Sequence, residues 1–220
     1  MKAPTTVVPI ALLLCLTLAC PCLPSPSGLN NIPTTDIAPQ RVVILQGWAN
    51  SSEGEDTRYF VGAKSGATAD LEVGLDSKAS PDGGPVTAQV KYRLPNDSTR
   101  PDFAVGFANL SAARDRAGQP MPYVVATQAF PGWRAHAGYS GQERAAGFFL
   151  GADLRVSASL LVRADWVRAG SSTGSTSSIG AVWTPDQPFA LEAWASFPGS
   201  PPTATVLTLK VDWPLSVSAP

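Results

Sequence analysis

Cysteine is almost absent from this 220-residue chain, and histidine occurs once. The three cysteines all lie before residue 23, so the remainder of the chain can form neither a disulfide framework nor a thiolate metal site. With His136 as the only histidine, carboxylates alone would have to bind a metal ion. We therefore predict no metal site and no cofactor.

Charge is also scarce, because only 15% of the residues are charged against an average of about 25%. The formal net charge is -1, so the chain has no basic field of the kind that binds nucleic acid. Hydrophobic residues make up 44% of the sequence, and glycine and proline are abundant, which suits many turns better than long helices. These features exclude nucleic acid as a partner.

Long apolar runs are missing, and the longest one, Val7–Ala19, is shorter than the roughly 20 residues that a membrane helix needs. Lys2 precedes this run and Cys20 follows it, which is the pattern of a secretory signal. We predict a signal peptide over 1–19. The small residue before Cys20 resembles a bacterial lipobox, which makes Cys20 a lipidation candidate. Thr17 departs from that pattern, and ordinary signal-peptidase cleavage is the alternative.

Short runs of strand-type composition occupy most of the chain after residue 40. The stretch VTAQVKYRL at 86–94 alternates apolar and polar residues without a fault, as expected of a β-strand with one oily face and one wet face. No helical periodicity long enough for a crossover connection separates these runs, so neighbouring strands should pair antiparallel. We predict twelve strands, at 41–49, 57–65, 70–79, 86–95, 102–110, 121–130, 133–141, 145–155, 159–169, 177–184, 188–197 and 203–213.

The connections between these runs alternate in length. Those after the first, third, fifth, ninth and eleventh runs are long or rich in Gly, Pro and Ser, and most of the others are tight. Transmembrane barrels show this asymmetry, with short periplasmic turns and longer outer loops, and an even number of strands places both chain ends on one side. The sequence predicts an all-β fold, a closed up-and-down antiparallel transmembrane β-barrel of about twelve strands over 41–213. A proline-containing periplasmic approach segment (20–40) precedes it, and a C-terminal tail (214–220) follows.

Charged side chains fall on one face of the predicted strands, and the opposite face is apolar. Such charges cannot lie in a dry core unless they are paired, so their face must be a wet lumen or a soluble surface. In a membrane barrel the apolar face contacts lipid, and in a soluble sandwich it forms the core. We expect a lumen whose selectivity is set by Lys64, Asp76, Lys91, Arg93, Arg134, His136, Asp153, Arg155, Arg163, Asp165, Glu192 and Lys210.

An internal repeat supports one hairpin unit that is used several times around a closed sheet. The segment GAKSGATADLEVGLD (62–76) aligns without gaps on GADLRVSASLLVRAD (151–165), and 180–194 is a weaker third copy. Each copy reads as strand, tight turn and strand. Chance alignment of hairpins with similar composition is the alternative.

The segment GLNNIPTTD (28–36) lies directly before the first predicted strand. It resembles a segment found at the same place in porin-like bacterial outer-membrane barrels, including barrels associated with exopolysaccharide secretion. Gly28, Leu29, Ile32, Pro33 and Thr34 match the Gly-Leu-x-x-Ile-Pro-Thr pattern, whereas Thr35 replaces its usual alanine. The resemblance implies a bacterial outer-membrane location and carries over no catalytic residue.

These observations favour a passive, porin-like channel for small polar solutes, embedded in outer-membrane lipid. One alternative is a non-conducting barrel that serves an envelope or polysaccharide-export assembly. Another is a soluble exported β-sandwich or ligand-binding barrel. A hydrolase would need His136, with Ser140 near it in sequence and Asp153 or Asp165 on neighbouring strands, but no nucleophile motif supports one. We predict that the chain is not an enzyme.

Overall fold

The computed structural model describes residues 27–79, 83–96, 101–141, 147–168, 174–186, 188–199 and 204–217. The predicted signal peptide and Cys20 lie outside these ranges. The short helix α1 (Arg114–Ala117) lies between the fifth and sixth strands. No helix within the described ranges is long and apolar enough to cross a membrane. The strands are β1 (Val42–Ser52), β2 (Arg58–Gly66), β3 (Leu71–Lys78), β4 (Val86–Leu94), β5 (Asp102–Leu110), β6 (Met121–Phe130), β7 (Trp133–Ser140), β8 (Gly147–Arg155), β9 (Leu160–Arg168), β10 (Ser175–Trp183), β11 (Ala190–Pro198) and β12 (Val206–Ser216).

Every strand pairs antiparallel with its neighbours in sequence, and β12 pairs with β1 to close the barrel. The closing ladder runs without a break from Val42 opposite Ser216 to Ser52 opposite Val206. Closure removes the sheet edges, which would otherwise present unpaired backbone groups. The predicted closed up-and-down barrel of twelve strands is confirmed, and the alternative of a two-sheet sandwich is wrong.

The C-terminal boundary of the barrel differs from the prediction. β12 extends to Ser216, and Leu215 pairs with Val43, so residues 214–216 belong to the wall and not to a free tail. The backbone N–H of Val217 then donates to the carbonyl of Arg41 at 2.8 Å. Pairing with the apolar start of β1 extends the strand past Trp213, where the sequence shows no clear alternation.

The connections differ between the two ends of the barrel. The loop end holds the connections 53–57, 79–85, 111–120, 141–146, 169–174 and 199–205. The turn end holds 67–70, 95–101, 131–132, 156–159 and 184–189, together with the start of β1 and the end of β12. Most turn-end connections are the shorter ones, as the sequence indicates. The connection 95–101 is an exception, since it is no shorter than 79–85.

The two faces of the wall separate as the alternation predicts. Apolar side chains stand on the outside, where Val61 is 52% exposed and Leu207 is 57% exposed. Charged side chains point inward, and Arg163 and Glu192 are each only 1% exposed. A soluble ligand-binding barrel would carry apolar residues inside and polar ones outside, so this alternative is wrong.

The segment before β1 lies inside the barrel. We name residues 27–40 the lumen segment; the sequence analysis places them in the periplasm, and the structure contradicts that placement. Gln40 forms a parallel bridge with Gly66 at the turn end. Closer to the N-terminus, Leu29 and Ile32 of the segment are buried against Phe149 and Val125, which point inward from the wall. The alternation of side chains along the strands does not predict this position, because it shows which face of a strand is apolar and not whether another part of the chain covers that face.

The lumen segment explains why β1 and β6 carry apolar residues on both faces, against the general separation of charged and apolar faces. Val42 and Ile44 of β1 point inward and pack with Ala38. The inward face of β6 carries Val125, which packs in the cluster around Leu29 and Ile32. These two strands are apolar on both faces because one face meets the exterior and the other meets the lumen segment.

The internal repeat corresponds to one recurring contact. In each copy the first glycine lies directly opposite the last residue of that copy in the neighbouring strand: Gly62 opposite Asp76, Gly151 opposite Asp165 and Gly180 opposite Trp194. A Cβ atom added to Gly180 would lie against the Cβ of Trp194 and 2.5 Å from the carbonyl oxygen of Ala193. The glycine therefore leaves room for a large inward side chain on the next strand.

We predict that Gly180→Ala destabilises the barrel, because the added methyl group meets backbone and Cβ atoms that cannot turn aside. Overpacking of this kind costs about 1–3 kcal/mol. Gly47→Ala is the matched control, since nothing lies within 4 Å of a Cβ at Gly47. Heat-modifiable migration on a gel, followed over temperature, measures the difference. Equal melting of the two variants would contradict the packing argument.

Candidate functional site

One cluster of charges joins β9, β11 and β12 on the inner wall. The Arg163 guanidinium pairs with the carboxylate of Glu192, and Lys210 Nζ lies 3.3 Å from Glu192 Oε1. Lys210 also lies 3.2 Å from Asp212 Oδ1, and Gln46 Nε2 donates to the same oxygen at 2.8 Å. Alternation places these side chains on the same face of adjacent strands. Two cations and two carboxylates therefore compensate each other.

A second cluster binds the lumen segment to β6, β7 and β8. Arg134 donates to Asp153 from Nη2 at 2.6 Å and to Asp36 of the lumen segment from Nη1 at 2.8 Å. His136 Nε2 lies 3.1 Å from Asp153 Oδ2, and its Nδ1 lies 2.9 Å from Thr127 Oγ1. The Asp153 carboxylate thus contacts both Arg134 and His136, and Arg134 also binds Asp36 of the lumen segment.

This second cluster aligns a hydroxyl, an imidazole and a carboxylate, the three groups that hydrolases use. The structure brings Asp153 to His136, as the hydrolase alternative requires, but the hydroxyl belongs to Thr127 and not to Ser140. Thr127 Oγ1 also accepts a hydrogen bond from the backbone N–H of Thr35 at 3.3 Å, and all three catalytic-type side chains are buried beneath the lumen segment. The arrangement holds the segment and leaves no open face for a substrate.

A third group of contacts holds both ends of the lumen segment. Lys64 and Lys91 donate to the side chain and the carbonyl of Ser27, at 2.8 and 2.6 Å. Lys91 Nζ also lies 3.5 Å from Glu72 Oε1, and Glu72 Oε2 accepts from the backbone N–H of Ala38 at 2.7 Å. Because these groups are buried, each cation and carboxylate needs such partners.

The matched residues of GLNNIPTTD form a tight turn within the lumen. The N–H of Leu29 donates to the carbonyl of Ile32 at 2.9 Å, and Gly28 bridges Pro33. A Cβ at Gly28 would lie 2.8 Å from the Ile32 carbonyl oxygen, so glycine is required there. The turn projects Leu29 and Ile32 against Gly151, where any added Cβ would meet both side chains.

Asn30 and Asn31 attach this turn to strands β9, β10 and β11. Asn30 Oδ1 accepts from Arg163 Nε at 2.7 Å, and the backbone N–H of Asn31 donates to Asp165 at 3.1 Å. The side-chain amide of Asn31 donates to the hydroxyls of Ser178 and Ser196. The lumen segment is therefore held by charged and polar contacts around the barrel, from β2 to β11.

An open cavity of about 590 Å³ remains inside the barrel beside the lumen segment. It lies toward the loop end, because its lining includes Asn50 near the end of β1, Thr176 at the start of β10 and Pro198 at the end of β11. Asn30 and Asn31 of the lumen segment form part of its wall. The other lining residues provide two indole rings, several amides and hydroxyls, the apolar side chains of Val167 and Val206, and the charged groups of Asp76 and Lys210.

The predicted lumen residues divide into three groups. Most are engaged with each other or with the lumen segment and do not line the cavity: Lys64, Lys91, Arg134, His136, Asp153, Arg163, Asp165 and Glu192. Arg93 lies at the turn end and pairs with Asp70 at 2.9 Å, and Arg155 is exposed at the same end. Asp76 and Lys210 line the cavity. Of these two, Asp76 has no ion-pair partner within the described ranges, whereas Lys210 has two carboxylates.

The predicted lumen residues do not include the inward aromatic side chains, among which are Trp48, Phe60 and Trp194 as well as Tyr123 and Phe149. Trp48 and Phe60 stack with ring centroids 5.2 Å apart, and Arg163 lies 5.6 Å from the centre of the Trp194 ring. Trp48 and Trp194 both line the cavity. The available signal was their position in the alternation, because Trp194 has the parity of Glu192 and Phe60 that of Lys64.

The carboxylates do not assemble into a metal centre within the part of the chain that the structure describes. No group of three or more His, Cys, Asp or Glu side chains is placed there to hold a metal ion. The inward carboxylates described above instead contact a cation, an amide or a backbone N–H, and Asp76 accepts a hydrogen bond from Gln89 Nε2 at 3.4 Å.

We predict that Arg163→Gln destabilises the barrel strongly, because Arg163 contacts Glu192, Asn30 and the carbonyl of Gly28 in a buried position. Breaking a buried ion pair on one side costs roughly 3–5 kcal/mol. Arg93→Gln is the control: Arg93 is 38% exposed, and exposed pairs contribute at most about 1 kcal/mol. Thermal unfolding followed by circular dichroism compares the variants. A loss at Arg93 as large as that at Arg163 would contradict this assignment.

Comparison with known proteins supports the fold. No protein-family model matches the chain, and no curated protein matches its sequence. Among solved structures, the KdgM porin aligns with a TM-score of 0.62 at 8% identity, over 77% of this chain and 98% of that one. A COG4313 outer membrane channel from Pseudomonas putida F1 aligns with a TM-score of 0.58 at 9% identity, over 87% and 99% of the two chains.

A third solved structure, the Acinetobacter baumannii outer membrane protein Omp33, aligns with a TM-score of 0.53 at 10% identity, over 80% of this chain and 99% of that one. In all three, nearly the whole of the known chain is covered, so the similarity concerns complete barrels. At these identities the likeness concerns architecture alone. The chain has the fold of outer-membrane porin-type β-barrels.

Proposed function

We propose that this protein is a porin-like channel of the bacterial outer membrane through which small polar solutes pass passively. The observation that carries the proposal is an open cavity with polar and aromatic lining residues, inside a closed wall whose exterior is apolar. The exposed Leu, Val and Phe side chains would contact lipid, and the charged side chains would keep the interior wet. The proteins with similar folds are named as porins and outer-membrane channels, which supports the same location.

We further propose that the loop end faces the exterior of the cell and the turn end faces the periplasm. In outer-membrane barrels the short turns and both chain termini lie on the periplasmic side. A signal peptide at 1–19 would deliver the chain, and lipidation at Cys20 would add a second anchor on that side.

The lumen segment determines how wide such a channel would be. Twelve strands lie between the eight that side chains just fill and the sixteen that leave an aqueous channel. Here the segment occupies part of the remaining space, and its contacts with Arg134, Lys91 and Glu72 hold it in place. The proposed passage is therefore narrow and is limited by the segment.

A planar-bilayer experiment tests the channel directly. The full chain should give discrete conductance steps, and Ile32→Asp should give larger ones, because a carboxylate cannot remain in the apolar contact of Ile32 with Phe149 and Gly151. Leu45→Asn, on the outer wall, should leave the conductance unchanged and checks for general damage. Heat-modifiable migration confirms that each variant is folded.

The second candidate is a non-conducting barrel in an envelope or polysaccharide-export assembly. The specific observation that favours it is the lumen segment itself, which lies in the interior and is held by the Arg134–Asp36 ion pair and by hydrogen bonds with buried charged side chains. The bilayer experiment separates the two candidates. Silence of the wild-type barrel across many insertions would overturn the channel and support the non-conducting barrel.

Asp76 should make the channel weakly selective for cations. It lines the cavity without an ion-pair partner among the described residues, whereas Lys210 is compensated by Glu192 and Asp212. We predict that Asp76→Asn lowers the permeability ratio of potassium to chloride, measured from reversal potentials under a salt gradient. The effect should be largest at low ionic strength, where screening is weak.

Asp115→Asn is the control for this measurement, because Asp115 lies in the exposed helix α1, within a loop. An unchanged potassium to chloride ratio in Asp76→Asn would show that Asp76 does not set the selectivity. An inverted ratio in the wild-type protein would show that the cations of the inner wall dominate, against the pairing described above.

A further inference from the structure

We propose that the cavity at the loop end is a binding site for a neutral, hydroxyl-rich ring, the chemistry of an uncharged saccharide. The inference deepens the proposed function, since it names a solute class for the same lumen, but its test does not depend on conduction. It rests on three features of the cavity lining: two supported indole rings, a surplus of amides and hydroxyls, and a lack of uncompensated cations.

The two indoles provide flat apolar surfaces beside the amides and hydroxyls of the lining, which also includes Val167, Pro198 and Val206. Trp48 and Trp194 line the cavity, while Phe60 and Arg163 do not. Phe60 stacks on Trp48 with an angle of 9° between the ring planes, and Arg163 lies over the ring of Trp194. Each indole is thus backed by a side chain outside the cavity and is held in one orientation. An indole face carries partial negative charge, which attracts the weakly positive C–H groups on the apolar face of a sugar ring.

The groups around these rings both donate and accept hydrogen bonds. They comprise side-chain amides and hydroxyls, namely Asn30, Asn31, Gln46, Asn50, Thr176, Ser196 and Thr208. A hydroxyl group both donates and accepts, so a lining with both capacities suits it better than a lining of carboxylates or ammonium groups. Asn30 Nδ2 is buried without a hydrogen-bond partner among the described residues, which leaves one donor at this wall unused.

The charges of the lining argue against an anionic ligand. Within the part of the lining that the structure describes, Lys210 is the one cation, and it is paired with Glu192 and Asp212. Asp76, the other charged group of the lining, would repel an anion. The KdgM porin has been solved in complex with disordered oligogalacturonate, which is an anion. The described lining residues include no unpaired cation for such a ligand, so the ligand class that fits them is uncharged.

The volume of the cavity agrees with a small ligand. At about 590 Å³ it falls within the range of roughly 300–1,000 Å³ that small-molecule sites occupy. The combination of aromatic surface with a few placed polar groups is also characteristic of such sites.

Isothermal titration calorimetry on the folded full chain in detergent tests the site. Maltotriose serves as the neutral probe and trigalacturonate as the acidic one. We expect maltotriose to bind in the millimolar range and trigalacturonate to bind at least several times more weakly. Trp48→Ala should weaken maltotriose binding about tenfold, the equivalent of 1.4 kcal/mol, and Trp48→Phe should retain most of the affinity, because a flat ring remains.

Two further variants keep the result interpretable. Trp213→Ala removes an indole from the outer wall, where Trp213 is exposed, and should leave binding unchanged. Asn50→Leu removes an amide of the lining and should weaken binding even if Trp48→Ala does not fold. Heat-modifiable migration shows which variants are folded.

The proposal is overturned if wild-type protein does not bind maltotriose at tens of millimolar, if trigalacturonate binds as well, or if neither folded lining variant weakens binding. Failure of the channel is distinguishable from failure of this site. Maltotriose binding together with silent bilayers would remove the channel and keep the site, whereas conductance without maltotriose binding would remove the site alone.

Discussion

Closure of the hydrogen-bonded ladder between β1 and β12 is the constraint on which the rest of the structure depends. With both edges joined, every strand has two neighbours, and alternation divides all side chains between an outside and an inside. The low proportion of charged residues in the sequence is consistent with this division, because charged side chains are needed only on the inner face of the barrel. The β1–β12 pairing also includes residues 214–216, which lie opposite the apolar residues at the start of β1.

Many charged residues of the inner wall bind the lumen segment and do not line an open lumen. Arg134 holds Asp36, Arg163 holds Asn30, and Lys64 and Lys91 hold Ser27. Buried charges are costly unless they are paired and hydrogen-bonded, and here the segment supplies partners that the strands alone lack. The apolar members Leu29 and Ile32 add contacts where Gly151 leaves room. Gly28 permits the tight turn that places these two side chains against the wall.

This division of roles changes how the charged residues are understood. Eight of the twelve predicted selectivity residues do not line the cavity, and their partners are each other or the segment. What solutes would meet in the cavity are Asp76, Lys210, the two indoles and the amides and hydroxyls around them. The chemistry of the cavity is therefore less charged than that of the inner wall as a whole. Near-neutral lining and aromatic surface together favour uncharged solutes with apolar ring faces.

The sequence by itself determined the all-β class, the number of strands, their antiparallel order and the face that carries the charges, because a period of two is a local property of a strand. It also located the repeat, whose glycines proved to lie opposite large or charged inward residues. Only the tertiary structure decided that residues 27–40 enter the lumen, that β12 continues to Ser216, and that Asp153 and Thr127 meet at His136. The lumen segment and the end of β12 contact residues far from them in the chain, and β1 and β6 are apolar on both faces because their inner faces meet the lumen segment. Alternation tells which side a residue faces; what lies on that side depends on how the whole chain closes around it.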